Sequence, residues 1–154
     1  MLVVDDESSI RQTLQLLLRH EGYEVALAAD GREALRQLEE RSFELVITDF
    51  NMPCLRGDEL ARLIHGLYPT TGIIMLSACA ELLRATRANL AGVDVLLDKP
   101  FALEQLRDAI QATLARRLVG RIKADAVAGL AKVHNTPAAS RAIHASPQCS
   151  LGRQ

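Results

Sequence analysis

The 154-residue sequence has no tryptophan and only 3% aromatic residues. Its three cysteines are an odd number without a CxxC pair, which disfavours a secreted disulfide framework and a structural zinc site. No apolar run approaches the roughly 20 residues that a membrane-spanning helix needs. The chain opens MLVVDDESS, with acidic residues where a signal peptide would carry basic and then apolar ones. These absences predict a cytoplasmic protein without a membrane segment.

The phosphate-binding glycine motifs GxGxxG and GxxxxGKS/T are also absent, which disfavours a nucleotide-binding fold. The net charge of −1 is unevenly distributed along the chain. Residues 1–118 hold 13 basic and 18 acidic residues, whereas residues 119–154 hold 5 basic and 1 acidic residue. The basic C-terminal part has no aromatic residue to stack on a base and no dense run of Lys and Arg. Direct nucleic-acid binding is therefore not expected.

The first 118 residues alternate short apolar runs with segments of helical periodicity. We predict strands over 2–4, 23–28, 43–48, 73–76 and 93–97, each followed by a helix. Continuous apolar strands joined by helices are typical of βαβ units, whose parallel sheet is covered on both faces. The sequence therefore predicts an α/β fold, a doubly wound (βα)5 sandwich with a parallel five-stranded sheet.

Local signals indicate where the helices begin and which residues face inward. Ser8 or Ser9 is expected to cap the first helix, and Asp30 with Gly31 to open the second. Further helices are predicted over 59–67, 82–90 and 103–118. In the first of these, the inward residues are expected to be Leu60, Leu63, Ile64 and Leu67.

The chain divides into three predicted parts, the first of which is a domain over 1–117. Apolar residues keep helical spacing over 118–133 despite Gly120 and Gly129, so the last helix is expected to extend there. Its apolar stripe suits a partner or dimer surface, or a segment that folds back on the domain. Residues 134–154 are polar, contain proline and lack periodicity, which predicts a disordered tail.

Charged and hydroxyl groups gather where the predicted strands end. The first strand runs into Asp5-Asp6-Glu7, the third into Asp49, the fourth into Ser77 and the fifth into Asp98-Lys99-Pro100. The carboxyl ends of parallel strands meet at one edge, where doubly wound proteins bind ligands. Two carboxylates about 4 Å apart repel by roughly 4 kcal/mol at an effective dielectric near 20, so one lysine compensates only in part. Mg²⁺ suits the remaining charge, and a carboxylate beside it is a plausible nucleophile toward phosphorus.

The motifs VVDDE, DFNMP, LSA and DKPF, in this order and spacing, resemble the receiver domain of two-component response regulators. The resemblance covers residues 1 to about 117 and implies a flavodoxin-like receiver fold. It implies that Asp49 accepts a phosphoryl group from a sensor histidine kinase or a histidine phosphotransfer protein. Lys99 would contact that group, Ser77 would move toward it, and the Lys99–Pro100 bond would be cis.

The same resemblance implies a Mg²⁺ site. Asp6 would bind the ion directly and Asp5 through water, while Asp49 and the backbone carbonyl of Asn51 would complete the protein ligands. The product of phosphorylation would be a changed protein-interaction surface, read by an unidentified effector protein. The chain would act as a phosphorelay signalling protein that assists its own phosphorylation and dephosphorylation, not as a classical enzyme.

One departure from the family pattern leaves an alternative open. The family carries an aromatic switch residue three positions before the lysine, where this chain has Leu96. A receiver-like docking module that works without phosphorylation therefore remains a second hypothesis. An aspartyl-phosphate phosphatase of the haloacid dehalogenase type is disfavoured, because its second aspartate would fall at Asn51.

Overall fold

The computed structural model describes residues 1–85 and 90–133. In these residues the strands are β1 Leu2–Val4, β2 Ala26–Ala28, β3 Leu45–Asp49, β4 Gly72–Ser77 and β5 Val95–Asp98. The helices are α1 Ser8–His20, α2 Gly31–Glu40, α3 Gly57–Leu67, α4 Ala80–Ala85 and α5 Leu103–Val133. The strands form one parallel sheet in the order β2-β1-β3-β4-β5. The predicted doubly wound fold is confirmed.

The strand residues alternate between two apolar clusters, one on each face of the sheet. Ile73 and Met75 of β4 belong to the cluster that α2, α3 and α4 cover, whereas Ile74 and Leu76 belong to the cluster that α1 and α5 cover. Strands β3 and β4 are buried along their whole length. Because both faces are covered with apolar side chains, polar groups concentrate at the strand ends.

The two predicted helix starts have different outcomes. Asp30 does cap α2, since its side chain accepts a hydrogen bond from the Glu33 N–H at 2.8 Å. The predicted serine cap of α1 is wrong, because Glu7 occupies the N-cap position without a side-chain cap hydrogen bond. The Asp5 carboxylate accepts a hydrogen bond from the Glu7 N–H at 2.9 Å and so turns the chain directly after β1. The helix therefore starts at Ser8.

The inward stripe of α3 is narrower than predicted. Its buried residues are Gly57, Leu60, Ala61 and Ile64, at i, i+3, i+4 and i+7 spacing. Leu63 and Leu67 are 42% and 66% exposed, so their predicted inward positions are wrong. Leu63 lies about 100° around the helix from Ile64, which turns it off the stripe.

Several element boundaries differ from the predicted ones, most clearly in β2, β5 and α4. Strand β2 is confined to its last three predicted residues, because the Tyr23 N–H is bonded to the Leu18 carbonyl at the end of α1. Strand β5 starts at Val95, since the Val93 N–H closes a turn on the Leu90 carbonyl. Helix α4 starts at Ala80, two residues early, while 86–89 of its predicted span lie outside the described residues.

Helix α5 is 31 residues long, which corresponds to about 46 Å. Its first turns pack on the sheet through Leu106, Ala109 and Ile110, whereas Leu118 and Ile122 are exposed. The division into a domain, a helical extension and a tail stays a prediction, and the predicted disordered tail over 134–154 lies outside the described residues. Within the described part of the chain, the helices are too short or too polar to cross a bilayer.

The start of α3 is packed tightly against the end of β3. A Cβ atom added to Gly57 would lie 2.1 Å from the Asp49 carbonyl oxygen, and the Gly57 N–H donates to the Phe50 carbonyl at 3.0 Å. Both are backbone groups that cannot yield by rotating a side chain. Only glycine lets the loop return this close to Asp49.

We therefore expect Gly57→Ala to lower the free energy of unfolding by about 3 kcal/mol, because the backbone must shift to relieve the overlap. Urea denaturation followed by far-UV circular dichroism measures this loss. Gly66→Ala is the matched control on the same helix, since nothing lies within 4 Å of the added Cβ. It should leave stability unchanged or raise it by up to about 1 kcal/mol. Equal effects of the two variants would contradict the packing argument.

Candidate functional site

Four strands deliver polar side chains to the carboxyl edge of the sheet. Asp5 directly follows β1, Asp49 ends β3, Ser77 ends β4 and Lys99 directly follows β5. Asp5, Asp49 and Ser77 are buried, with exposed fractions of 1%, 8% and 1%. Residues that are up to 94 positions apart in the chain thus meet at one edge. The side chains at the carboxyl ends of parallel strands were expected to meet, and Asp5, Asp49 and Lys99 do so.

The Lys99 ammonium binds both buried carboxylates. Its Nζ donates to Asp49 Oδ1 at 2.6 Å and to Asp5 Oδ2 at 3.1 Å. A charged donor on charged acceptors makes these hydrogen bonds stronger than neutral ones. One cation therefore holds the ends of β1, β3 and β5 together.

The second oxygen of each carboxylate accepts a backbone hydrogen bond. Asp5 Oδ1 accepts from the Glu7 N–H at 2.9 Å, and Asp49 Oδ2 accepts from the Asn51 N–H at 2.6 Å. These bonds orient both carboxyl groups in the same way, with one oxygen toward the following loop and one toward Lys99. Arg11 of α1 adds a further contact, since its Nη1 donates to the Asp5 carbonyl.

The pKa of Lys99 is raised above its ordinary value. Burial by itself lowers the pKa of the ammonium, but the hydrogen bonds to Asp49 and Asp5 and their charges outweigh it. Lys99 is therefore a fixed cation at neutral pH.

The carboxylates outnumber the cation at this edge. Asp5, Asp6 and Asp49 carry three negative charges when ionised and Lys99 carries one positive charge, so two negative charges are left over. Asp6 is exposed beside the buried Asp5. Among the described residues, no group of three or more His, Cys, Asp or Glu forms a ready-made metal cage. Such a donor set fits a hydrated divalent cation that keeps several waters.

Ser77 lies at the same edge but bonds to a neighbour. In the described part of the chain, its Oγ accepts from the Cys79 N–H at 3.1 Å and lies 3.4 Å from Cys79 Sγ. The Lys99 N–H donates to the Ser77 carbonyl at 2.9 Å, so the two residues are joined through the backbone. The Ser77 hydroxyl is thus adjacent to the Lys99 cluster without belonging to its hydrogen bonds.

Asn51 is placed by the loop after β3. Its backbone N–H faces Asp49, and its side chain is exposed. The loop is anchored by the Phe50 N–H, which donates to the Leu76 carbonyl of β4 at 2.9 Å. The Lys99–Pro100 peptide bond is cis, as the family resemblance implies.

Sequence reasoning missed two contacts of the site, those of Arg11 and Cys79. Arg11 lies one helical turn into α1, and Cys79 lies two residues after Ser77. Neither belongs to a motif, and their roles depend on the path of the neighbouring backbone. Only the folded structure brings them to Asp5 and Ser77.

Comparison with known proteins agrees with the fold. The model of the response regulator receiver domain family matches residues 1–111, and the chain belongs to this family. It is thus a receiver domain of the two-component signalling systems, a class of signalling proteins that interact with histidine kinases. The fold and the family predicted from the sequence are confirmed.

Curated relatives are longer than this chain. The transcriptional regulatory protein PrrA of Mycobacterium tuberculosis is 37% identical over 117 residues, which cover 76% of this chain and 50% of the relative. The transcriptional regulatory protein ZraR of Salmonella typhimurium is 37% identical over 115 residues, which cover 75% of this chain and 26% of the relative. The chain therefore spans half the length or less of these relatives.

Solved structures superpose over most of the described residues. A response regulator receiver domain protein from Clostridium thermocellum gives a TM-score of 0.70 at 36% identity, covering 77% of this chain and 95% of that protein. The response regulator TrrA of Thermotoga maritima, in complex with Mg²⁺–BeF, gives 0.67 at 34% identity, covering 73% and 96%.

The raised pKa of Lys99 has a consequence for stability. At pH 7 and without divalent cations, Lys99→Met should lower the free energy of unfolding by about 2 kcal/mol, because two buried carboxylates lose their cation. The stabilisation by Lys99 is complete below the unfolded-state lysine pKa of about 10.4 and is lost as pH rises through the higher folded-state value. Urea denaturation of both proteins from pH 7 to 11 should therefore show a constant gap that closes only above about pH 10.4. A gap that widens there would contradict an electrostatic role.

Proposed function

We propose that this chain is phosphorylated on Asp49 by a sensor histidine kinase or a histidine phosphotransfer protein, and that phosphorylation alters a protein-interaction surface. The observation that carries the proposal is the Asp49 carboxylate, which Lys99 holds at 2.6 Å beside the buried Asp5 at the carboxyl edge of the sheet. This arrangement offers an oxygen nucleophile next to a fixed cation. The family match supports the same chemistry.

In the proposed reaction, an Asp49 carboxylate oxygen attacks the phosphorus of a phosphohistidine. The new O–P bond forms as the N–P bond breaks, and the histidine ring leaves with the electron pair of the broken bond. The Lys99 ammonium, already beside Asp49 Oδ1, pairs with an oxygen of the transferred group. The Ser77 hydroxyl exchanges its bond with Cys79 for a hydrogen bond to the same group.

We infer that Mg²⁺ is the required cofactor. Asp6 would bind it directly, Asp5 through water, and Asp49 and the Asn51 carbonyl would complete the protein ligands. When bound, the ion supplies positive charge that offsets the negative charge of the phosphoryl oxygens. Support comes from the two uncompensated negative charges of the edge and from the Mg²⁺–BeF complex of TrrA.

The partners follow from the same proposal. The phosphodonor is a histidine kinase or phosphotransfer protein, and the output is read by an effector protein whose identity stays open. The matched relatives are named transcriptional regulatory proteins, but this chain spans half their length or less. We propose a cytoplasmic signalling protein that does not bind nucleic acid directly and is not a classical enzyme.

A dimer through α5 is part of the proposal, since Leu118, Val119 and Ile122 of this helix are exposed.

A second candidate function is docking that does not depend on phosphorylation. The observation that favours it is Leu96, a half-buried aliphatic residue that packs against the cluster under α3. Without an aromatic ring at this position, the usual link between the site and the surface is missing. Under this alternative, Asp49→Asn would leave partner binding unchanged.

Phosphorylation is tested by intact-mass spectrometry after incubation with acetyl phosphate and Mg²⁺. We expect a single phosphoryl adduct on the wild type and none on Asp49→Asn, because the nucleophilic oxygen is replaced by an amide. Asp108→Asn, which changes an exposed carboxylate of α5, is the matched control and should be modified like the wild type. Chelation of Mg²⁺ should abolish the adduct. An unmodified wild type that still binds Mg²⁺ would favour the docking alternative.

Metal binding is tested by isothermal titration calorimetry with MgCl₂, a method that needs no tryptophan. Asp6→Asn should weaken binding about tenfold or more, because it removes a charged ligand of a hard cation. Its side chain is exposed, so the fold should be retained. Glu7→Gln is the neighbouring control and should change the affinity less than about twofold, since only the Glu7 backbone contacts Asp5. A similar loss of Mg²⁺ affinity in both variants would indicate that Asp6 acts through the overall negative charge of the edge and not as a metal ligand.

A further inference from the structure

The end of β5 joins two residues of the candidate site. Ser77 pairs with Asp98 in the register of β4 and β5, and the Lys99 N–H donates to the Ser77 carbonyl at 2.9 Å. Asp98 thus lies in the sheet directly beside Ser77 and directly before Lys99. The backbone therefore connects Asp98 directly to both site residues.

Arg84 of α4 binds this same strand end with both arms of its guanidinium. Nη1 donates to Asp98 Oδ2 at 2.6 Å, and Nη2 donates to the Leu96 carbonyl at 2.7 Å. Because the guanidinium is planar and rigid, both bonds hold only while the carboxylate and the carbonyl keep their spacing. Strand β5 is the edge strand of the sheet, so its outward carbonyl is free to accept from α4.

The ion pair between Arg84 and Asp98 can break at little cost in free energy. The side chains of Arg84 and Asp98 are 49% and 44% exposed, and exposed ion pairs contribute little to stability. In the described residues, helix α4 spans Ala80–Ala85 with Ala80 and Leu83 buried, and Arg84 attaches it to β5 through two hydrogen bonds. Leu96 offers its carbonyl to this contact in the position where the family has its aromatic switch residue.

We propose that Arg84, through Asp98 and the Leu96 carbonyl, couples the state of the site to helix α4. The proposal rests on the proposed phosphorylation of Asp49. When Lys99 and Ser77 turn toward a phosphoryl group, the end of β5 shifts, and the rigid fork of Arg84 either follows it or releases it. Either outcome alters the attachment of α4 to β5.

The test is the ¹H–¹⁵N NMR spectrum of the 154-residue chain with Mg²⁺, before and after addition of beryllium fluoride. In the wild type, amides of the site (Phe50, Ser77 and Lys99) and of α4 (80–85) should shift. In Arg84→Gln and in Asp98→Asn, the site amides should shift as before, while the α4 shifts fall to less than about half. The double variant should lose no more than either single variant, because both act through one contact.

Arg62→Gln is the matched control, since it changes an exposed arginine of α3 and should respond like the wild type. Retained dispersion of the spectra establishes that each variant is folded. If the α4 amides of Arg84→Gln shift as much as those of the wild type, the coupling role of Arg84 is wrong, while the proposed phosphorylation is unaffected. If the site amides of the wild type itself do not respond to beryllium fluoride, the proposed function fails, and the coupling role fails with it.

Discussion

The candidate site depends on one electrostatic arrangement, a lysine ammonium held between two buried carboxylates. Asp5 and Asp49 would repel each other at the sheet edge. Lys99 offsets this repulsion by binding both carboxylates, and it thereby links the ends of three strands. The compensation is incomplete, because Asp6 adds a further negative charge. The edge is therefore stable enough to fold and still negative enough to attract a cation. The same charged groups therefore hold the strand ends together and provide the proposed chemistry.

The rest of the molecule holds these three groups in place. Parallel strands buried on both faces concentrate charged groups at the strand ends, so the functional groups lie where the chain leaves the sheet. The close approach of Gly57 to the Asp49 carbonyl and the bond from Phe50 to Leu76 fix the loop after β3. At the other side, Arg84 ties α4 to the end of β5. A local change at Asp49 therefore acts on a tightly connected edge.

Much of the fold was predictable because apolar periodicity is a property of the chain alone. The five strands, their parallel arrangement and the Asp30 cap follow from spacing and local hydrogen-bonding preference. The errors lie where a short-range hydrogen bond or the small residues of a helix override the expected pattern. Asp5 draws the start of α1 to Ser8, and the tight packing of α3 through Gly57 and Ala61 turns Leu63 outward.

For the site, the amino-acid sequence specifies which residues are available: the acids at the ends of β1 and β3, the lysine after β5, and Leu96 in place of an aromatic residue. Parallel topology then requires these groups to share one edge, whatever the details of packing. Their hydrogen-bond partners depend on the folded structure. In the fold, Ser77 contacts Cys79 and Asp98 forms an ion pair with Arg84. Such contacts depend on direction and on distances to within a few tenths of an ångström, which the spacing of residues in the sequence does not encode.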